Sequence, residues 1–385
     1  MFSNTHKLQS AILIASLLIL GSCSPEVSDF QSKAFIKYFG NGRGTEGQNV
    51  IELPDGGYIL VGTDQHLTKR KEIFAAHINK FGNTIWQKTY GTNHDETALV
   101  VHSVNNEIFV FGTITHSNTS VSNACMLRLS TNGDSLNMHV FDTSSPFEFN
   151  DVIVSSNSFI AVGKELSGSP ANENYYICSI TPEGVLSKGP NLTAEEDQKF
   201  YRIFEKTDGN YLVVGTNNKT LFSSVNRVVV VELSQNQMPL IAYTLPSETD
   251  QYFADAVFDG TDLLVLYNII SQGSYQAKVA SISASLELNW DNTINTVGTG
   301  KTICSFDATQ FTLAFENNSN IVLSMLSNQG EILRNSSSFN TLPGSVNRIF
   351  KTTDNGLIFI GTTSITYGKM IQLIKTDSEL FLLNN

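Results

Sequence analysis

The sequence predicts an all-β chain, a seven-bladed β-propeller with four antiparallel strands per blade. Two observations carry the prediction: a four-strand unit that keeps returning, and strands that are apolar in consecutive positions. The founding unit spans residues 47–91 and holds four short apolar runs, at 49–53 (NVIEL), 58–62 (YILVG), 73–78 (IFAAHI) and 84–90 (TIWQKTY). Runs of this length, rich in Ile, Val, Tyr and Phe and separated by Pro-Asp-Gly-Gly and Phe-Gly-Asn, read as antiparallel strands joined by tight turns.

The glycine that closes the second run is the ruler for the repeat. Gly62 recurs as Gly112, Gly163, Gly215 and Gly361, and Tyr267 and Glu316 read as its equivalents in two diverged copies. The spacings are 50, 51, 52, 52, 49 and 45 residues, which is the period of propeller blades. Because the runs do not alternate strictly, both faces of each sheet need cover, and neighbouring blades stacked around an axis supply it.

From the N-terminus, residues 1–22 read as a targeting segment. Lys7 gives a weakly basic start, residues 11–20 (AILIASLLIL) form an apolar core too short to span a bilayer, and Leu20-Gly21-Ser22-Cys23 follows. That sequence resembles the bacterial lipoprotein signal, which implies cleavage before Cys23 and a lipid on its thiol. Residues 23–32 are then a polar tether, and 33–385 the propeller.

The segment 34–40 (AFIKYFG) is similar to the fourth-strand sequence IWQKTYG, whereas the seventh copy runs out soon after its third strand. The expected closure therefore uses the N-terminal strand to complete the last blade and remove an open edge. The alternative is that residues 380–383 (LFLL) form that strand.

Composition fits an exported globular domain: 41% hydrophobic residues suffice for extensive burial, and no run after residue 32 is apolar for long enough to be a membrane helix. A formal charge of -12, or -13 once Lys7 leaves, disfavours nucleic acid and anionic lipid as partners of the folded surface. Cys125, Cys178 and Cys304 read as small buried hydrophobes without a disulfide or a zinc pattern.

Connections from second to third strand and from blade to blade are longer than the others, and they share one face. That face, around the mouth of the central channel, is where a ligand is expected. Its inter-blade segments carry Glu46, Asp95, Glu96, Glu148, Asp151, Glu195, Glu196, Asp197, Glu248 and Asp250. Convergence of these acids would make the mouth anionic; the simpler reading is that they keep the surface soluble. His66, His94 and His116 fall in the same set of loops without the fixed spacing of a metal site. The stretch 42–47 (GRGTEG) fits G-x-G-x-x-G, but a strand, not a helix, follows it, so it reads as an inter-blade loop. Hydrolase motifs are absent.

The sequences FGNTIWQKTYG, HDETALVV and LPDGGYILVG resemble the W-x-K-T-Y-G and D-G-G-Y-I-L-V-G repeats of exported bacterial β-propellers, many of them lipoproteins of unassigned function. The resemblance covers residue 34 onward as architecture and brings no catalytic residue. Gly82-x-x-x-Trp86 is also similar to the tryptophan-docking turn of quinoprotein-type propellers. With Trp86 and Trp290 the only tryptophans, the pattern does not extend round the ring, and no cofactor is expected.

The resulting expectation is a lipid-anchored module of the cell envelope, at the outer membrane. It acts without catalysis as a binding or scaffold unit for a protein or glycan, and touches the membrane through Cys23 alone. The alternative is a carbohydrate-active enzyme, a glycosidase or lyase. That reading requires a carboxylate pair, or a carboxylate with His66 or His94, within about 5–10 Å across a pocket with aromatic walls.

Overall fold

The computed structural model describes residues 34–65, 70–116, 121–143, 145–167, 172–190, 198–217, 225–294, 298–317, 320–335 and 344–378. They form 28 strands in seven four-stranded antiparallel sheets, and no helix. After β1 (Phe35–Phe39), blade one is β2 (Thr45–Glu52), β3 (Tyr58–Gln65), β4 (Lys71–Ile78) and β5 (Thr84–Tyr90). Blade two is β6 (Asp95–Val104), β7 (Glu107–Thr115), β8 (Ser122–Ser130) and β9 (Ser135–Val140). Blade three is β10 (Phe147–Ser155), β11 (Ser158–Ser167), β12 (Asn172–Ile180) and β13 (Leu186–Lys188). Blade four is β14 (Gln198–Glu205), β15 (Tyr211–Asn217), β16 (Arg227–Leu233) and β17 (Pro239–Thr244). Blade five is β18 (Gln251–Phe258), β19 (Asp262–Ser271), β20 (Ser274–Ser283) and β21 (Leu288–Thr293). Blade six is β22 (Thr299–Asp307), β23 (Gln310–Asn317), β24 (Asn320–Ser327) and β25 (Ile332–Asn335). Blade seven is β26 (Gly344–Lys351), β27 (Leu357–Ile365) and β28 (Gly368–Lys375), completed by β1, whose register runs from Phe35↔Lys375 to Phe39↔Ile371. Closure by the N-terminal strand is thus as expected; residues 380–383, the alternative, lie outside the described residues.

The consecutive apolar runs are explained by where the core sits. Seven clusters of buried residues lie one at each junction between neighbouring blades. In β3, buried from Tyr58 to Thr63, Tyr58 and Leu60 pack toward blade seven while Ile59 and Val61 pack toward blade two. Successive side chains of a strand point to opposite faces, so an unbroken apolar run serves two interfaces. Cys125, Cys178 and Cys304 are free and buried within such junctions.

Two details correct the sequence reading. The inner strands begin several residues earlier than the apolar runs: β6 starts at Asp95 and β10 at Phe147. Glu46, Asp95, Glu96, Glu148 and Asp151 therefore sit in strands rather than in inter-blade loops; Glu195, Glu196 and Asp197 are outside the described residues. In blade six the partner of the pre-bulge residue Gly300 is Phe315, so Phe315, not Glu316, is the equivalent of Gly62. Glu316 takes the next position, that of Thr63 and Thr362, which has its own repeated task. Thr63, Asn268, Glu316 and Thr362 each accept a hydrogen bond from a backbone N–H of the following blade: Ala98, Gly300, Val346 and Gly47, at 3.3, 2.9, 2.9 and 3.1 Å. The last of these is the closing junction, tied in the same way as the sequential ones.

Why the inner strands run on past their apolar part is a matter of bulges. Every inner strand carries a register shift at the same place, with Gln48, Leu99, Asn150, Tyr201, Ala254, Lys301 and Asn347 as the unpaired residues. A bulge bends the strand and re-aims the side chains around it. Here seven of them circle one end of the axis.

Candidate functional site: the axial funnel

At the long-loop end the bulges open into a funnel of about 740 Å³. Gln48, Leu99, Lys301 and Asn347, all bulge residues, line it together with Glu46, Glu316, Ser345, Thr362, Ser364 and Lys369. Arg202 and Arg348 reach into it from the residue that follows the bulge. The site therefore lies on the face expected from loop lengths. Its wall is made by strand ends, not by the variable loops.

Below the funnel a charged network crosses the axis. The post-bulge residues of blades three to seven are Asp151, Arg202, Asp255, Thr302 and Arg348. Asp255, 2% exposed, accepts from Arg202 Nε and its own neighbour Ala256 N on Oδ1, at 2.6 and 2.9 Å, and from Thr302 Oγ1 and Ile303 N on Oδ2, at 2.6 and 3.2 Å. Arg348 Nη1 stands 3.6 Å from the same Oδ1, and its Nη2 donates to Asp151 Oδ1 at 3.3 Å, joining blade seven to blade three. Asp151 Oδ2 in turn accepts from Ile203 N of blade four at 3.2 Å.

Burial opposes ionisation of Asp255, but the cations Arg202 and Arg348 and the hydrogen bonds from Thr302 and Arg202 outweigh it and hold its pKa below the usual carboxylate value. For Arg348 burial and the neighbouring Arg202 cation prevail, leaving its pKa below that of an ordinary guanidinium. Two like charges thus converge on Asp255, and Asp151 is the second carboxylate on Arg348.

Higher up, Glu46 pairs with Lys369, and Glu316 with Lys301 at 3.0 Å. Counting the side chains that line the funnel, four cations face two carboxylates. Among the described residues the acids do not converge into an anionic mouth: of that set only Glu46 lines the funnel, while Asp95 and Glu96 lie at the junction of blades one and two and Glu248 and Asp250 precede blade five. Among the described residues, no aromatic side chain lines the funnel.

The histidine set divides. His66 lies outside the described residues; His94 and His116 stack edge to face with centroids 4.5 Å apart. Near His94, Glu96 is fully buried, accepting from Thr92 N at 3.1 Å and from the Thr92 hydroxyl, with its second oxygen unpartnered among the described residues. Burial first, and the Glu72 charge after it, raise its pKa against the hydrogen bonds from Thr92 and the charge of His94. No group of three or more His, Cys, Asp or Glu among the described residues is arranged to hold a metal ion. Cys23, the expected lipid site, is outside the described residues.

Arg202 and Arg348 were not singled out by sequence reasoning. Their signal was there: both fall at the same offset from the start of their apolar runs, two charged residues at a position where other blades carry Asn49 and Val100.

No family model and no curated protein matches the chain. Among solved structures it is similar to polysaccharide lyase Uly1, with TM-score 0.57 and 9% identity over 92% of this chain and 94% of the lyase. It is also similar to prolyl oligopeptidase B from Galerina marginata, with TM-score 0.55 and 12% identity over 96% of this chain and 53% of that one. The chain therefore spans about half the length of the oligopeptidase. A protein of unknown function from Bacteroides caccae matches with TM-score 0.45 and 16% identity over 66% of this chain and 86% of that one. At these identities the likeness is one of fold, the β-propeller.

Proposed function

We propose that the chain is a lipid-anchored module of the cell envelope, attached to the outer membrane through Cys23, that binds a protein or glycan partner in its axial funnel without catalysing a reaction. The observation that carries the reading is the pairing of the funnel's acids. Glu46 and Glu316 are each held by a lysine, and Asp151 and Asp255 below them by arginines. A glycosidase needs one carboxyl group kept protonated as an acid and a second as base or nucleophile. Lysine and arginine partners favour the ionised form of a carboxyl group, and Asp255 spends its lone pairs on four donors. What remains open toward solvent is a set of cationic, amide and hydroxyl donors, suited to holding a polar partner.

Affinity capture from detergent-solubilised envelope tests this, with three baits: the native chain, Cys23→Ala, and a Lys301→Glu/Lys369→Glu double variant. The native chain is expected to retain a partner that the funnel variant loses, and Cys23→Ala to leave the membrane fraction. Equal recovery by native chain and funnel variant would move the binding site elsewhere. Turnover of an envelope polysaccharide by the purified chain would replace the reading with the enzymatic one.

A further inference from the structure

The funnel is more particular than a general polar surface. Among the described residues, three N–H groups of the Arg202 and Arg348 guanidinia reach a protein acceptor at hydrogen-bond distance: Arg202 Nε on Asp255, Arg202 Nη1 on the Tyr201 carbonyl at 3.2 Å, and Arg348 Nη2 on Asp151. A guanidinium carries five such groups, so most of the pair's donors are left for something else. Both side chains are largely enclosed, 13% and 16% exposed, and both line the cavity. Their positions are fixed from below by Asp255 and Asp151, so little ordering would be needed when an acceptor arrives. Planar, bidentate acceptors such as carboxylates fit a guanidinium edge best.

Around this pair the wall is small and hydrophilic. Ser345, Asn347 and Thr362 stand with Gln48 and Ser364, and among the described residues Leu99 and Val346 are the only apolar side chains in the lining. Such a wall offers hydrogen bonds to hydroxyl groups and gives no pocket to the apolar side chains of a peptide. Each of the four cations at the cavity has a carboxylate partner, so the attraction for an anion comes from the guanidinium donors that still face the cavity and not from a net positive field.

We propose that the funnel binds an acidic sugar residue, free or within a glycan, with its carboxylate on the Arg202 and Arg348 guanidinia and its hydroxyl groups on Ser345, Asn347 and Thr362. The assignment rests on the binding reading above and narrows its partner to one chemistry. Lys301 and Lys369, at the rim, add the long-range attraction.

The test is calorimetric titration of the full chain in detergent with galacturonate, trigalacturonate, galactose and a hexaglutamate peptide. Both uronates are expected to bind and galactose not to. Tighter binding of the trimer than of the monomer assigns the site to a glycan; equal binding assigns it to the free sugar acid. A Lys301→Gln/Lys369→Gln variant, altered at the rim and checked for an unchanged melting curve, should bind uronate about tenfold more weakly, as expected for loss of the lysines' electrostatic attraction; unchanged affinity would remove the lysines from the site. Absence of uronate binding up to about 10 mM, where even a millimolar site would saturate, overturns the assignment. So does an affinity for galactose equal to that for galacturonate, or tighter binding of hexaglutamate than of trigalacturonate. In each of those cases, if the captured envelope partner is still lost from the funnel variant, the binding reading stands and only the acidic sugar falls.

Discussion

The perimeter of the ring and its axis solve the same problem in opposite ways. At the perimeter, an outer-strand side chain of one blade lies over the glycine of the next blade's last turn: Phe35 over Gly82, Trp86 over Gly133, His139 over Gly184, Trp290 over Gly330. Both indole N–H groups donate to a carbonyl of that turn, Trp86 to Thr131 at 2.9 Å and Trp290 to Asn328 at 3.0 Å. One geometry is repeated with several residue types, and each contact involves two neighbouring blades. At the axis the backbone repeats, bulge by bulge, but the side chains diverge, and the resulting network joins five blades. The difference teaches that the perimeter carries the architecture and the axis carries whatever distinguishes this propeller from another.

The comparison is broken most sharply at Asp255. Replacing it by Ala leaves two buried guanidinia sharing only Asp151, and removing one partner of a buried ion pair typically costs about 3–5 kcal/mol. Urea unfolding should show a loss of this size. Combination with Arg348→Met should recover a good part of it, because the second change removes a charge the first has stranded. A loss below about 1 kcal/mol, or simple additivity, would mean that the axis is as modular as the perimeter.

The perimeter should answer differently. Trp86→Ala removes a half-buried indole and its hydrogen bond, for an expected cost of about 2 kcal/mol, below that of a fully buried aromatic. Trp290→Ala, four blades away, should add to it within about 0.5 kcal/mol. Coupling larger than this would show that strain travels round the ring. Smaller again is Gly133→Ala. Its backbone has φ +72°, and a Cβ there would stand 2.9 Å from the Trp86 ring. Left-handed backbone alone costs about 1–2 kcal/mol for a residue with a side chain. The contact should then make the substitution cost less in a Trp86→Ala background.

The same division decides what could be read from the sequence. Perimeter and core were legible because they repeat: the strand count, the blade count, closure by residues 34–40 and the burial of Cys125, Cys178 and Cys304 all follow from period and pattern. Phe315 was misplaced by one residue because blade six lacks the glycine, and only the ladder opposite Gly300 restores the register. The acids read as loop residues because a bulge has no reliable sequence mark. Glu96 and Asp151 precede solid apolar runs, and nothing local says that a strand has already begun. The funnel was least legible of all. Arg202 meets Asp255, and Arg348 meets Asp151, through a closure that brings together residues 53 and 197 positions apart.

A last and smaller prediction separates two buried acids by the sign of their response to pH. Asp255 has a folded-state pKa below its unfolded value, so its contribution to stability is complete above about pH 4 and is lost as pH falls through the folded value. Glu96 has the opposite shift. Its favourable contribution is complete below its unfolded value, about 4.3, and is lost as pH rises through the folded value, so at neutral pH the buried carboxyl group burdens the fold. Glu96→Gln keeps an acceptor for Thr92 and removes the ionisation. It should therefore melt about 1–2 °C above the native chain at pH 7, with the advantage vanishing toward pH 4. A lower melting point for Glu96→Gln at pH 7 would mean that its carboxylate is used, and would point to His94, whose charge acts on it, as the group that uses it.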